Sequence, residues 1–313
     1  MSNAADKSRR FVVASAARTS AAIVILAAAA GPLSAHGGEA HERGPEWTLD
    51  PWIVVPIALA GGLYAAGALK LLERSSNRRF LIRSGAAFCG GWLALVVALV
   101  SPVHFLGEHL FTVHMIEHEL VMAVAAPLIV LARPVGVMFW GLPRPLRHAA
   151  GKAFKSVVAE KVWTFATGGF VATILHGAAI WTWHAPALFD ATVTDLALHR
   201  LQHLSFFATA IFFWWAVIWR SGRGVAAWHL FATMMHTSIL GALIALAPHV
   251  AYVAQTQSAP EWGLTPLEDQ QLAGIVMWVP GGIIYAAVAL AVLALWIADS
   301  GAGGVHADRV RTP

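Results

Sequence analysis

What most constrains this chain is an apolar run of about twenty residues that recurs down its length. At about 1.5 Å rise per residue, a helix of that length crosses the ~30 Å hydrocarbon core of a bilayer. Backbone groups inside that core have no water to bond, so an isolated apolar run must satisfy them within its own helix. The predicted spans are 52–72, 80–101, 108–131, 163–184, 197–219, 228–251 and 272–298. The expected fold class is therefore all-α, a polytopic transmembrane helix bundle with seven spans after an N-terminal signal segment. Composition agrees, with 58% hydrophobic and only 12% charged residues.

Residues 1–35 read as a signal peptide or signal anchor. Lys7, Arg9 and Arg10 form a basic start, an apolar stretch runs from Ala21 to Ala30, and Leu33-Ser34-Ala35 resembles a cleavage site. Arg18 shortens the apolar run, which favours cleavage. An outer-face N-terminal segment 36–51 follows, then the transmembrane helical domain 52–298 and a cytoplasmic tail 299–313. The single cysteine, Cys89, excludes a disulfide framework and reads as a small packed residue. No phosphate-binding loop accompanies the spans, so nucleotide-driven pumping is not expected. The net charge of +4 gives no reason to invoke nucleic acid.

Basic residues set the expected orientation. Lys70, Arg74, Arg78, Arg79 and Arg83 share one face with Arg133, Arg144, Arg147, Lys152, Lys155 and Lys161, and with Arg220, Arg223, Arg309 and Arg311. The opposite face has Arg43 and Arg200. The positive-inside rule puts the first face in the cytoplasm, the mature N-terminus outside and the C-terminus inside. Tryptophans such as Trp52, Trp163, Trp183, Trp219 and Trp228 fall near span ends, as an interfacial belt would.

The histidines then sort by side. His36, His41, His104, His109, His114, His118, His176, His184, His199, His203 and His249 fall outside or in outer span ends. His236 lies near mid-membrane, and His148, His229 and His306 face the cytoplasm. His114 and His118 are spaced i, i+4, as are His199 and His203, so each pair occupies one helix face. Glu117 adjoins the first pair and Met122 lies one turn further along. Ionisable groups inside spans are costly and face functional interiors. The candidate metal ligands are therefore His114, His118, His176, His199, His203, His236 and Glu117, with methionines such as Met122 and Met277 as accessory soft ligands. Convergence of five of these histidines requires spans 3 to 6 to be neighbours. Imidazole with thioether and no thiolate, on an oxidising face, favours copper. Haem with bis-histidine ligation is the alternative.

Four stretches together are recognisable: FTVHMIEHELVMAVAAPLIVLARP (111–134), LHGAAIWTWHAPALFDATV with LHRLQHLSFFATAIFFWW (175–215), MMHTSILGALIALAP (234–248) and GLTPLEDQQLAGIVMWVPGG (263–282). In that order they resemble the CtaG family, assembly factors of caa3-type cytochrome c oxidase, over roughly residues 50–300. The resemblance implies a multi-pass protein of the bacterial plasma membrane that helps supply copper during oxidase maturation. Its implied partners are oxidase subunits and a periplasmic copper donor, and its role is assembly rather than catalysis. The motif match carries over His114, His118, His176, His184, His199, His203, His236, Asp269-Gln270-Gln271 and Met277-Trp278. Glu119 departs from the family's pattern, where an apolar residue is expected. It would either widen a polar cavity or pair locally.

Overall fold

A computed structural model describes residues 46–74 and 77–309, with side chains to residue 299. The signal segment 1–35, His36 and His41 lie outside the described residues, as does the side chain of His306. The described chain is helical throughout, with no strand. In order it forms α1 (Pro51–Leu72), α2 (Arg78–Leu99), α3 (Pro102–His109), α4 (Phe111–Ala132), α5 (Pro134–Gly141) and α6 (Arg144–Phe154). These are followed by α7 (Val157–Ala166), α8 (Gly169–Trp183), α9 (Pro186–Thr194), α10 (Leu196–Arg220), α11 (Arg223–Ala245) and α12 (Pro266–Asp299), the last continuing helically to Arg309. Six of them, α1, α2, α4, α10, α11 and α12, are long and apolar enough to cross a membrane. The chain reads as a multi-pass membrane protein.

The predicted fourth span, 163–184, is not one straight helix. It falls on α7 and α8, which meet at 71°, so a seventh span exists only if this bent pair is counted as one. A local break and a partner from another helix accompany the bend. Gly168 precedes α8 in an extended conformation. Arg220, at the end of α10, donates to the Thr164 carbonyl at 2.9 Å and the Thr167 hydroxyl at 2.6 Å. It thereby serves acceptors that the interrupted helix leaves open.

The predicted loop after span 3 is also structured. Arg133 takes a left-handed conformation (φ 47°) that ends α4, and Pro134 starts α5. The Arg133 guanidinium lies 3.4 Å over the Trp219 ring, which anchors this unfavourable backbone. α5 turns back onto α1. The contact depends on Gly67 and Gly141, because a Cβ on either would strike the backbone of Val137 or Leu63. Lys70 then donates to the Trp140 and Gly141 carbonyls at 3.0 and 3.2 Å, covering the α5 C-terminus. Cys89, expected to be packed, lies exposed on an outer face of α2.

The core runs along α4, α8, α10, α11 and α12, and α4 is the most buried of the spans. Two central helices set up the site. α4 begins three residues before His114 and ends beside Arg133, while α10 begins three residues before His199 and ends at Arg220. They pack together with the same sense, so histidines gather at one end and arginines at the other. Just past His118, α4 widens into a π turn over Leu120–Ala125. Trp214 on α10 donates its indole N–H to the Met122 carbonyl inside that turn at 2.9 Å. The widened turn thus keeps a hydrogen-bond partner in a place without water.

Candidate metal centre

Helical spacing puts His114 and His118 on the same face of α4, and the packing of α10 brings His203 against them. One imidazole nitrogen from each lies within 4.8 Å of the others. The ring centroids are 4.3 Å apart for His114–His118, 5.1 Å for His118–His203 and 5.7 Å for His114–His203. His199 joins one turn away on α10, 4.6 Å from His203 and 5.6 Å from His114. All of these except His199 are buried, and His199 is nearly so. The walls are apolar: Phe206 packs 4.7 Å from His118, and Phe189 5.2 Å from His114.

Hydrogen bonds settle two tautomers. His114 Nδ1 faces the Gly107 carbonyl at 3.3 Å, and His184 Nδ1 faces the Ile180 carbonyl at 2.7 Å. A carbonyl only accepts, so both Nδ1 atoms carry the proton and both Nε2 atoms keep a lone pair. Those Nε2 atoms are buried without a partner, as are both ring nitrogens of His118 and His203 and Nε2 of His199. A buried polar atom left unpaired costs about 1–3 kcal/mol. So many unpaired nitrogens in one place are what an ion-binding site needs before it is filled. Three imidazoles around one ion, with bonds of about 2.0 Å, hold their donors roughly 3.5 Å apart. Small ring rotations close the present spacing to that value, so the residues fit a metal ion.

Two further groups complete the cluster. His104, on the short helix α3, was not among the predicted ligands. Its Nδ1 lies 2.7 Å from Glu117 Oε1, and its ring is 5.7 Å from His199. Ser101-Pro102 is the sequence signal for the helix that delivers it: Ser101 accepts from the Val103 N–H, and proline follows at the first helical position. Burial opposes charge on the His104 imidazole. Glu117, Glu108 and Asp50 outweigh it and hold its pKa above the ordinary value. Glu117 is fully buried and lies beside the three histidines, with Oε1 3.7 Å from His203 Nε2. Gly107 makes room for it, since a Cβ there would come within 2.7 Å of Glu117 Oε2. His184 stands at the edge, 6.1 Å from His118.

Other predicted residues lie elsewhere. Asp269 bonds at the start of α4. Its carboxylate accepts from the Phe111 N–H at 2.7 Å, the Thr112 N–H at 2.9 Å and the Thr112 hydroxyl at 2.7 Å. It caps α4 from α12, a helix start where Leu110 offers no side-chain cap of its own. Gln270 similarly accepts from the Ala251 N–H and donates to the His249 carbonyl, tying down the loop before α12. Met122 and Met277 sit in the apolar core. Glu119 points away from the histidines toward α12, where its carboxylate occupies the space beside Gly281. His176 and His236 do not converge on this centre. His176 lies eight residues before His184 on the same helix, about 12 Å further into the bundle.

Comparison with known proteins places this architecture. Residues 62–299 match the family described as cytochrome c oxidase caa3 assembly factor (Caa3_CtaG). Uncharacterized proteins of Mycobacterium bovis and Mycobacterium tuberculosis are 27% identical over 245 residues, covering 74% of this chain and 36% of theirs. One from Mycobacterium leprae is 24% identical over 284 residues, covering 84% of this chain and 41% of its own. The chain thus spans well under half the length of these curated relatives. No solved structure is similar. With the match running through every helix that builds the histidine cluster, the chain belongs to the CtaG family of caa3-type cytochrome c oxidase assembly factors.

Proposed function

We propose that this protein carries copper for insertion into a haem–copper cytochrome c oxidase, binding it at His114, His118 and His203 with His199 and Glu117 close by. The observation that carries the reading is the set of three buried imidazoles with donor nitrogens within 4.8 Å and no other partner. Imidazole ligands without thiolate suit copper, and a site of neutral histidines releases its ion by simple ligand exchange. Glu117, the buried carboxylate beside the three imidazoles, helps to offset the charge of a bound ion. The proposed role is delivery.

The arginine-rich end supports an orientation with the histidine end outside the bacterial plasma membrane and the C-terminus in the cytoplasm. An outward site would receive copper from a periplasmic donor and hand it to oxidase subunits in the same bilayer. Haem is the second reading. Bis-histidine ligation needs a flat slot between two facing imidazoles. Here Phe189 and Phe206 pack directly on the rings, and two histidines share one helix, which favours a compact ion over a macrocycle.

The test is copper per chain in purified protein loaded with Cu(I) under anaerobic reducing conditions, with oxidase activity of the membranes measured in parallel. His118→Ala and His203→Ala should each lose one equivalent and depress oxidase activity. Normal copper and normal oxidase in both variants would sink the assignment. A stoichiometric Soret band would replace it with haem.

A further inference from the structure

The structure assigns a second, deeper metal site to His176 and His236, separate from the outer cluster and suited to a monovalent, two-coordinate ion. It rests on the reading that these histidines carry cuprous copper. His176, on α8, is fully buried. Its Nδ1 lies 3.1 Å from the Thr209 hydroxyl on α10. That hydroxyl already gives its proton to the Ser205 carbonyl at 2.8 Å, so it accepts from His176. The proton of His176 is therefore on Nδ1, and the lone pair on Nε2 is buried without a partner.

His236, on α11, lies against α8 at Gly177, and both of its ring nitrogens are likewise buried and unpartnered. The glycine after His176 allows the approach. A Cβ on Gly177 would stand only 3.3 Å from His236 Nε2. Two neutral imidazoles on adjacent helices, one with its tautomer fixed by a hydroxyl, form a donor pair without a carboxylate. Burying an uncompensated charge becomes steeply more costly as the charge rises. Such a pair therefore selects a singly charged ion content with two nitrogen donors, and Cu(I) and Ag(I) meet that description. Ile180, one turn from each of His176 and His184, and the Phe206 ring close off the outer cluster. The two sites are distinct levels of one bundle.

Copper stoichiometry and the X-ray absorption edge of the Cu(I)-loaded full chain test this. Wild type should carry two Cu(I) per chain, part of the signal showing the sharp edge feature of two-coordinate cuprous ion. His176→Asn and His236→Asn should each remove one equivalent and that feature, while the His118- and His203-dependent equivalent persists and reports a folded protein. Thr209→Val keeps both ligands and should weaken the inner site about tenfold, the lower end for losing a group that orients a ligand. Two equivalents retained in either asparagine variant, or one equivalent in wild type that depends wholly on His118 and His203, would overturn the inner site. If instead the asparagine variants lose copper and His118→Ala does not, the outer assignment fails and the inner site stands.

Discussion

The outer cluster and the inner pair are made from the same side chain on different helices of one bundle, α3, α4 and α10 against α8 and α11, and their surroundings differ. The outer level gathers His104, His114, His118, His199 and His203 around a buried carboxylate, with Arg200 and Asp50 paired at 2.8 Å nearby. The inner level has two imidazoles, a threonine hydroxyl and apolar walls that include Phe213, 5.4 Å from His176. Charge balance separates them. A site with a carboxylate tolerates a higher cation charge than one without. On the proposed copper reading, the outer site would hold its ion firmly and the inner pair would hold a singly charged ion more weakly.

Removing an outer ligand should break the comparison most severely. His203→Ala should weaken the outer site by more than about 100-fold, beyond the range seen when only an orienting partner is lost. Titration with a competing cuprous chelator would measure it, with inner occupancy unchanged. Zinc sharpens the same contrast. Zn(II) should fill the outer site alone, so one zinc per chain against two cuprous ions is expected, and two zinc ions would refute the charge argument. Glu117→Gln preserves shape and removes charge. It should cost the outer site about 10- to 100-fold and leave the inner site untouched.

Asp269→Ala tests how the outer level is held. It strips three hydrogen bonds from the start of α4, among them two to backbone N–H groups. Hydrogen bonds to a charged group are worth about 1.5–3 kcal/mol each in isolation and less together. A loss of roughly 2 kcal/mol in stability is expected, read as a lower Tm. Outer-site affinity should fall with it and inner-site affinity should not.

These residues also show what the sequence could and could not reveal. Hydropathy located the helices, because a membrane span must be apolar over its whole length. The i, i+4 spacing placed His114 with His118 and His199 with His203, because helix geometry is local. Distance across helices is not local. The sequence set His236 near mid-membrane but grouped it and His176 with the other candidate ligands, and only the packing of α8 on α10 and α11 separates them from the cluster. Asp269 entered as an accessory candidate through the family resemblance, and in the structure it caps a helix distant by over 150 positions in the chain. The α7–α8 bend was not foreseen, since 163–184 read as one apolar span. Arg220, which fills the open acceptors there, lies on another helix. His104 was visible as a histidine but not as a neighbour, since the short helix that folds it back is too brief to stand out in a hydropathy profile.

The smallest effect concerns the π turn just past His118. Widening α4 at Leu120–Ala125 shifts the register of everything beyond His118, and the Trp214 indole N–H holds the Met122 carbonyl inside that turn. Trp214 is almost wholly buried and stacks on Tyr285 at 5.6 Å, so the contact is rigid from both sides. Trp214→Phe keeps an aromatic ring and removes the donor. The orphaned carbonyl and the small void should cost about 1–2 kcal/mol. If the turn sets the pitch of His118 against His203, outer-site affinity should fall a few-fold while the inner pair, held through Thr209, keeps its own. Equal weakening at both levels would mean that the turn supports the whole bundle rather than the outer site. The contrast between the levels would then rest on charge alone.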